Sequence, residues 1–224
     1  AFGLGVTAIK HGEPRNDKYS FWWQLAGNLV IAWLLWCGGF FSQARAVLPP
    51  QAALQYRDDV IRNARLEWGL SAPVADFAAQ LHQESGWRPD AVSPVGAQGL
   101  AQFMPATATW IAGIDPALAA RQPFSPAWAL RALVTYDRWL YDRTPAHYPP
   151  RDRMWVALRA YNGGLGHWQR EAASTGLAQP TRAQVDAACG TARRAAVHCP
   201  ENLGYPHRIL VVIQPRYLQW GPGL

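Results

Sequence analysis

The sequence predicts a mainly α-helical fold, on three observations. Apolar residues recur at three- and four-residue spacing along most of the chain, the runs open at Ser or Pro and close at Gly or Pro, and no strand-length alternation or internal repeat interrupts them. With 224 residues, 50% apolar content and 12 Trp, the chain suits one domain plus an appendage and can fill a core.

Residues 1–20 form a short basic segment in which Lys10, Arg15 and Lys18 are diluted by Glu13 and Asp17. Residues 21–41 carry no charge and, at about 1.5 Å per residue, are long enough as a helix to cross a hydrocarbon core of about 30 Å. Trp22, Trp23 and Trp36 at its ends suit an interfacial belt, and Ala44-Arg45-Ala46 gives a small-x-small cleavage pattern. Residues 21–46 are therefore expected to be an export segment, either a cleaved signal or a retained transmembrane anchor. A buried soluble helix is the remaining alternative. Cys37 follows the bulky Trp36, which argues against a lipoprotein box.

Residues 47–52, with Pro49 and Pro50, read as a linker into a domain over 53–224. Helical spacing runs from Ala52 to Trp68 and is stopped by Gly69. Ser71-Ala-Pro73 reads as the next helix start, with Ser71 as N-cap, and Gly86 as its stop. Met104-Pro105 opens a helix that ends by Gly113. Ser125-Pro126 opens the longest one, which Pro145 stops, and Pro149-Pro150 leads into another that halts at Asn162-Gly163-Gly164. A short amphipathic run reaches Gly176, a helix and a clipped loop fill residues 180–200, and a last apolar pattern over 205–220 is interrupted by Pro215.

Residues 81–107 hold the candidate chemistry. Glu84 falls seven residues after Phe77 and three after Leu81, which places it on the apolar face of its helix at the carbonyl end. Lost hydration and the helix dipole both disfavour the ionised carboxylate and raise its pKa, as a general acid requires. A structural Glu bonded to a backbone amide is the alternative. In the Gly/Pro/Ser-rich loop after it, Asp90 is the one further acid, and it reads as a loop cap; Asp115 before Pro116 reads as a turn residue.

The net charge of +6 is compatible with nucleic acid, membrane surfaces or an acidic polymer and does not choose among them. Cys189 and Cys199 lie on the exported side, where a structural disulfide is expected rather than a metal or nucleophile site. His82, His147, His167, His198 and His207 show no paired ligand spacing, so no metal and no cofactor are expected.

Four segments in this order resemble the lytic transglycosylases of the soluble-lytic-transglycosylase (SLT) type, a lysozyme-like family. They are Glu84-Ser85 at a helix end, GAQGLAQFMPAT over residues 96–107, Ala160-Tyr161-Asn162-Gly163-Gly164, and ENLGYPHRI over 201–209. The resemblance covers residues 53–218 and implies a lysozyme-like α-helical domain preceded by the hydrophobic export or anchor helix. It implies cleavage of the β-1,4 bond between N-acetylmuramic acid and N-acetylglucosamine of peptidoglycan, non-hydrolytically, with 1,6-anhydro ends and Glu84 as acid and then base. Ser85 is expected to bond the sugar or orient Glu84, Gln102 and Asn162 to meet N-acetyl groups, Tyr161 and Tyr205 to pack on the sugar or reach Glu84, and Met104 to line the groove or fill core.

Three departures stand out. Ala101 replaces the family's Met, an expected widening of a groove wall; Asn202 replaces Thr; and Pro206 biases Tyr205 away from helix, which puts its reach to Glu84 in question. The expected partner is peptidoglycan, on the periplasmic side of the bacterial inner membrane, with the membrane itself as a second partner if the N-terminal helix is uncleaved, and with no nucleic acid. Service to a secretion, conjugation or phage apparatus fits the export segment and the charge, and so does housekeeping wall turnover. The rival functions are a hydrolytic muramidase and a catalytically inactive glycan-binding scaffold.

Overall fold

The computed structural model describes residues 28–31, 33 and 48–224. The chain divides into two units, residues 1–46 and 47–224. Of the first, residues 28–31 and 33 are helical, and the expected export segment otherwise lies outside the described residues. No helix among the described residues is long and apolar enough to cross a membrane.

The second unit is helical, with isolated bridges in place of strands among its described residues. Its α-helices are α1 (Gln51–Leu54), α2 (Arg57–Trp68), α3 (Val74–Ser85), α4 (Pro105–Ala112), α5 (Pro126–Tyr141), α6 (Pro150–Gly163), α7 (Leu165–Ser174), α8 (Arg182–Ala187) and α9 (Cys199–His207). A π-helical turn over Arg208–Ile213 and a 3₁₀ turn over Gln214–Arg216 continue α9.

Helix α3 is the centre. Eight consecutive residues from Val74 to Leu81 are buried, because α2 packs on one side and the π and 3₁₀ turns on another. Ala75, Ala78 and Ala79 keep this helix thin enough for neighbours to approach on every side. It starts at Val74 with Pro73 in the N-cap position, not at Ser71 as the sequence suggests, and no side chain caps it. Its end matches expectation: Gly86 takes a left-handed φ of 60° and its N–H donates to the His82 carbonyl.

The helical run expected from Ala52 to Trp68 is broken at Gln55-Tyr56, so that α1 and α2 are separate. Helices α5 and α6 pack together; α7 and α9 pack on α6. A smaller apolar cluster of Tyr148, Val156, Trp168 and Val185 joins α6, α7 and α8. Beside it lies a buried charge network. Arg159, fully buried, donates to Glu171 Oε2 at 2.6 Å, Asp186 Oδ1 at 2.8 Å and Asn202 Oδ1 at 3.0 Å; Arg194 Nε donates to Glu171 Oε1 at 2.7 Å. Asn202 Nδ2 in turn donates to the Arg159 carbonyl and to Asn162 Oδ1. The replacement of the family's Thr by Asn thus has a structural reason: one amide ties α9 to both Arg159 and Asn162. Cys189 and Cys199 are joined in a disulfide that closes the loop between α8 and α9.

Pro206 does not bend Tyr205 out of helix. Tyr205 and Pro206 both lie within α9, both are buried, and the wider π turn that starts at Arg208 comes directly after them. The proline forgoes one backbone hydrogen bond of α9, and burial of Tyr205 and Pro206 in the core holds the helix through that position.

Candidate active site

Glu84 sits in the last turn of α3, largely buried but with part of its surface open to solvent. Its Oε1 accepts a hydrogen bond from the Tyr205 hydroxyl, so the Glu84 and Tyr205 segments meet across 121 residues of sequence. Burial pushes the Glu84 pKa up to about 8; the Tyr205 hydrogen bond opposes the rise and the nearby Glu201 carboxylate adds to it. At neutral pH the carboxyl is mostly protonated.

The end of α3 is fixed by contacts that the sequence does not reveal. Trp87, 1% exposed and with a left-handed φ of 68°, donates its indole N–H to Tyr217 Oη at 2.7 Å, and the same hydroxyl bonds His82 Nδ1 at 2.8 Å. Tyr56, Tyr217 and Trp220 pack against Trp87. The one local signal of this clasp is a large aromatic directly after the helix-stopping Gly86.

The loop over residues 96–107 folds on itself. Gln98 and Phe103 exchange backbone hydrogen bonds of 3.0 and 3.1 Å, and Gly99 N–H reaches the Ala91 carbonyl at 2.8 Å. Gly99 has a φ of 73°, and a Cβ there would lie 1.9 Å from the Pro123 carbonyl oxygen. Gly99→Ala is therefore expected to destabilise the fold by about 3 kcal/mol or more, through a backbone clash and an unfavourable φ together. A thermal melt checks it: an unchanged midpoint would refute the close approach.

The other expected site residues are placed as follows. Tyr161 Oη donates to the Ala101 carbonyl at 2.7 Å and its ring packs on Phe103 and Tyr136, so its hydroxyl braces the loop; burial, with the Glu84 charge adding to it, pushes its pKa up. Gln102, at a left-handed φ of 50°, uses its amide nitrogen on the Ala91 and Gly99 carbonyls at 3.1 and 2.8 Å. That amide nitrogen staples the loop instead of standing free for a ligand. Ser85 is 3% exposed and its hydroxyl donates to the Leu81 carbonyl one turn back in α3. Ala101 is fully buried, which corrects the expectation that it widens a groove wall. Met104 is 42% exposed and is not core filler. Asn162 is exposed, accepts from Asn202 and faces Glu201 Oε1 at 3.5 Å.

Acids other than Asp90 and Asp115 act on Glu84. Asp115 caps its own turn and pairs with Arg131. Glu201, exposed on α9, and Asp137, fully buried on α5 beside Gln80, are the two whose charges couple to Glu84. Two hollows of about 410 and 450 Å³ lie at the motif segments without including Glu84; Gln98 and Pro105 line the first, and Asn162, Gly163 and Glu201 the second.

Residues 60–182, just over half of the chain, match the family model described as Transglycosylase SLT domain. The chain belongs to this SLT family. Glu84, Gln102, Tyr161 and Asn162 lie within the matched stretch, and the Cys189–Cys199 loop and Tyr205 come after it. Among relatives, the membrane-bound lytic murein transglycosylase F of Marinobacter nauticus is 36% identical over 109 residues, which is 49% of this chain and 19% of that protein. The protein of the same description from Pasteurella multocida is 35% identical over 130 residues, 57% of this chain and 23% of its own. That of Maricaulis maris is 40% identical over 101 residues, 45% and 19% respectively. The SLT chain thus aligns with about a fifth of the length of these relatives.

Proposed function

We propose that this SLT domain is a peptidoglycan lytic transglycosylase that cleaves the β-1,4 bond between N-acetylmuramic acid and N-acetylglucosamine without water as nucleophile. The observation that carries the reading is Glu84, protonated near neutral pH and held at the solvent edge by Tyr205. Glu84 gives its proton to the glycosidic oxygen as the C1–O bond breaks. The sugar's own C6 hydroxyl then closes onto C1, and its proton passes to the Glu84 carboxylate, which regenerates the acid and leaves a 1,6-anhydro end. A carboxyl with a pKa near 8 suits both halves: it is mostly protonated at the start and a competent base afterwards. One acid is enough because the attacking hydroxyl is part of the substrate and already close.

Tyr205 orients Glu84 and stabilises it when ionised. Met104 and Asn162 stand at the surface where glycan packs and N-acetyl groups bond, and Tyr161 and Gln102 hold the loop that carries Met104. Ser85 keeps an internal role at the helix end. Of the cysteines, the Cys189–Cys199 bridge holds the α8–α9 loop.

Tyr205→Phe tests the pairing. Loss of a donor to the carboxylate raises the Glu84 pKa further, so the alkaline limb of the kcat/KM profile on purified sacculi moves upward and the rate falls about tenfold. A rate loss with an unmoved limb would mean that Tyr205 serves the fold only.

The coupling of Glu201 to Glu84 favours a second reading, a hydrolytic muramidase in which Glu201 activates water. The two readings differ in the chemical form of the product end.

The site of action under this proposal is the periplasmic face of the inner membrane, with residues 21–46 as signal or anchor. The relatives' description as membrane-bound supports an envelope location. A role beside a secretion or conjugation apparatus is part of the proposal, and co-purification with such an apparatus tests it.

A further inference from the structure

Asp137 on α5 is a buried carboxyl to which the proposed cleavage gives no part. It is fully buried and faces Gln80 of α3, also fully buried, whose Nε2 donates to its Oδ1 at 3.4 Å. The other oxygen of each group, Gln80 Oε1 and Asp137 Oδ2, is buried without a hydrogen-bond partner. Two bare acceptors in one pair are costly, and a single proton satisfies both: carried on Asp137 Oδ2 and donated to Gln80 Oε1, it closes a ring of two hydrogen bonds that run in opposite directions. Asp76, on the same helix as Gln80, gives the contrast, since Gln214 Nε2 and the Leu224 N–H occupy its two oxygens at 2.6 and 3.2 Å.

Among the described residues no cation is paired with Asp137. The ionisable groups that bear on it are Asp76 and Glu84 of α3, Tyr136 beside it on α5, Tyr161 of α6 and Tyr205 of α9, and each of these is neutral or negative. On α2, Glu67 is taken up by Arg131 at 3.2 Å. Burial pushes the Asp137 pKa up; the Gln80 hydrogen bond opposes the rise, and the charges of Glu84 and Asp76 add to it. A buried carboxyl with no cation beside it keeps its proton. Gln80 lies four residues before Glu84, one turn back on the same face of α3. Its bond to Asp137 is the one hydrogen bond that ties α3 to α5 among the described residues.

We infer that Gln80 and Asp137 form a neutral acid–amide pair, with the proton on Asp137 Oδ2, and that both are positioning residues for the Glu84 carboxyl. The inference rests on the proposed function. Glu84 gains a negative charge once in each turnover, and a second carboxylate in the same buried region would repel it; a neutral Asp137 leaves that charge unopposed. The pair also ties the turn of α3 before Glu84 to α5, so that the carboxyl keeps its place against the Tyr205 hydroxyl through both proton transfers.

Gln80→Met and Asp137→Ala test the pair, with kcat and KM on purified sacculi measured per folded chain. Each is expected to lower kcat about tenfold at a KM within about twofold of wild type, and the double variant to lose no more than either alone, because all three break one pair. Asp137→Asn, whose amide closes the same ring, is expected to recover most of the rate and to leave the alkaline limb of kcat/KM in place. A full rate in Gln80→Met, additive losses, or a limb that moves down in Asp137→Asn, the mark of a removed charge, would overturn the inference. Infrared spectra decide it where a substitution at either position prevents folding. At neutral pH the Glu84→Gln protein is expected to show the carbonyl band of a protonated carboxyl that disappears when Asp137→Asn is added, and a spectrum that this addition leaves unchanged would overturn the neutral pair. A wild type that cleaves no peptidoglycan would fault the transglycosylase reading instead. In that event the protonated-carboxyl band of Glu84, assigned by its loss in Glu84→Gln, reads the positioning by itself: a shift of this band in Gln80→Met supports it, and an unshifted band overturns it.

Discussion

Glu84→Gln is expected to reduce release of soluble muropeptides from purified sacculi at least about a thousandfold, since Gln neither donates nor accepts the proton in question. The same variant is expected to be more heat-stable than the wild type at pH 8. The folded-state pKa of Glu84 is raised from 4.5 to about 8, so the folded chain retains a proton that the unfolded chain has released across that interval. Its contribution to stability therefore falls as pH rises from about 4.5 to about 8, and the full penalty is present above that window. Gln removes the penalty while still offering Tyr205 an acceptor. A gain of about 1–3 kcal/mol at pH 8 that vanishes toward pH 4.5 is the expected pattern. Asp76, raised to about 6 by burial, gives the wild type a further slope of the same sign. A stability difference independent of pH would count against a perturbed Glu84, whatever the activity showed.

Arg159→Met is expected to cost about 3–5 kcal/mol, because it breaks a buried ion network from its centre. Arg159 and Glu171 are both fully buried, and removal of the guanidinium leaves Glu171 with Arg194 alone, Asp186 with Arg182 alone, and Asn202 Oδ1 without its donor. For a domain of this size the melting temperature falls by about 10 °C. A change of similar volume that left the midpoint in place would show that the network is locally replaceable. Because Asn202 joins this network to Asn162 and to the helix that carries Tyr205, residual folded protein should also cleave more slowly.

What is legible in the sequence is local. Glu84, three residues after Leu81 and two before Gly86, carries in that spacing both its burial and its place at a helix end, and Gly/Pro punctuation marks most helix limits. The rule for a residue before proline fails at Tyr205 because it is a local bias that takes no account of packing; here the Tyr205 and Pro206 side chains are buried and keep α9 helical through the proline. The expectation for Ala101 fails for a different reason, and Ser85 is buried with its hydroxyl on the Leu81 carbonyl. Motif membership says that a residue is near the site, and only packing says which way it faces. The clasp of Trp87, His82 and Tyr217 spans 130 and 135 residues, and no periodicity encodes such a pairing. The coupling of Glu201 to Glu84 is likewise hidden, since the two acids are distant in sequence and it is the Tyr205 hydrogen bond to Glu84 that links the helices that carry them.

Glu201 is also where the central claim is most exposed. Digestion of purified peptidoglycan by the whole chain, with mass spectrometry of the released muropeptides, reads the fate of C1 directly. The account predicts 1,6-anhydro muramic acid ends, one water lighter than reducing ends. Reducing muramic acid ends with no anhydro product would contradict it.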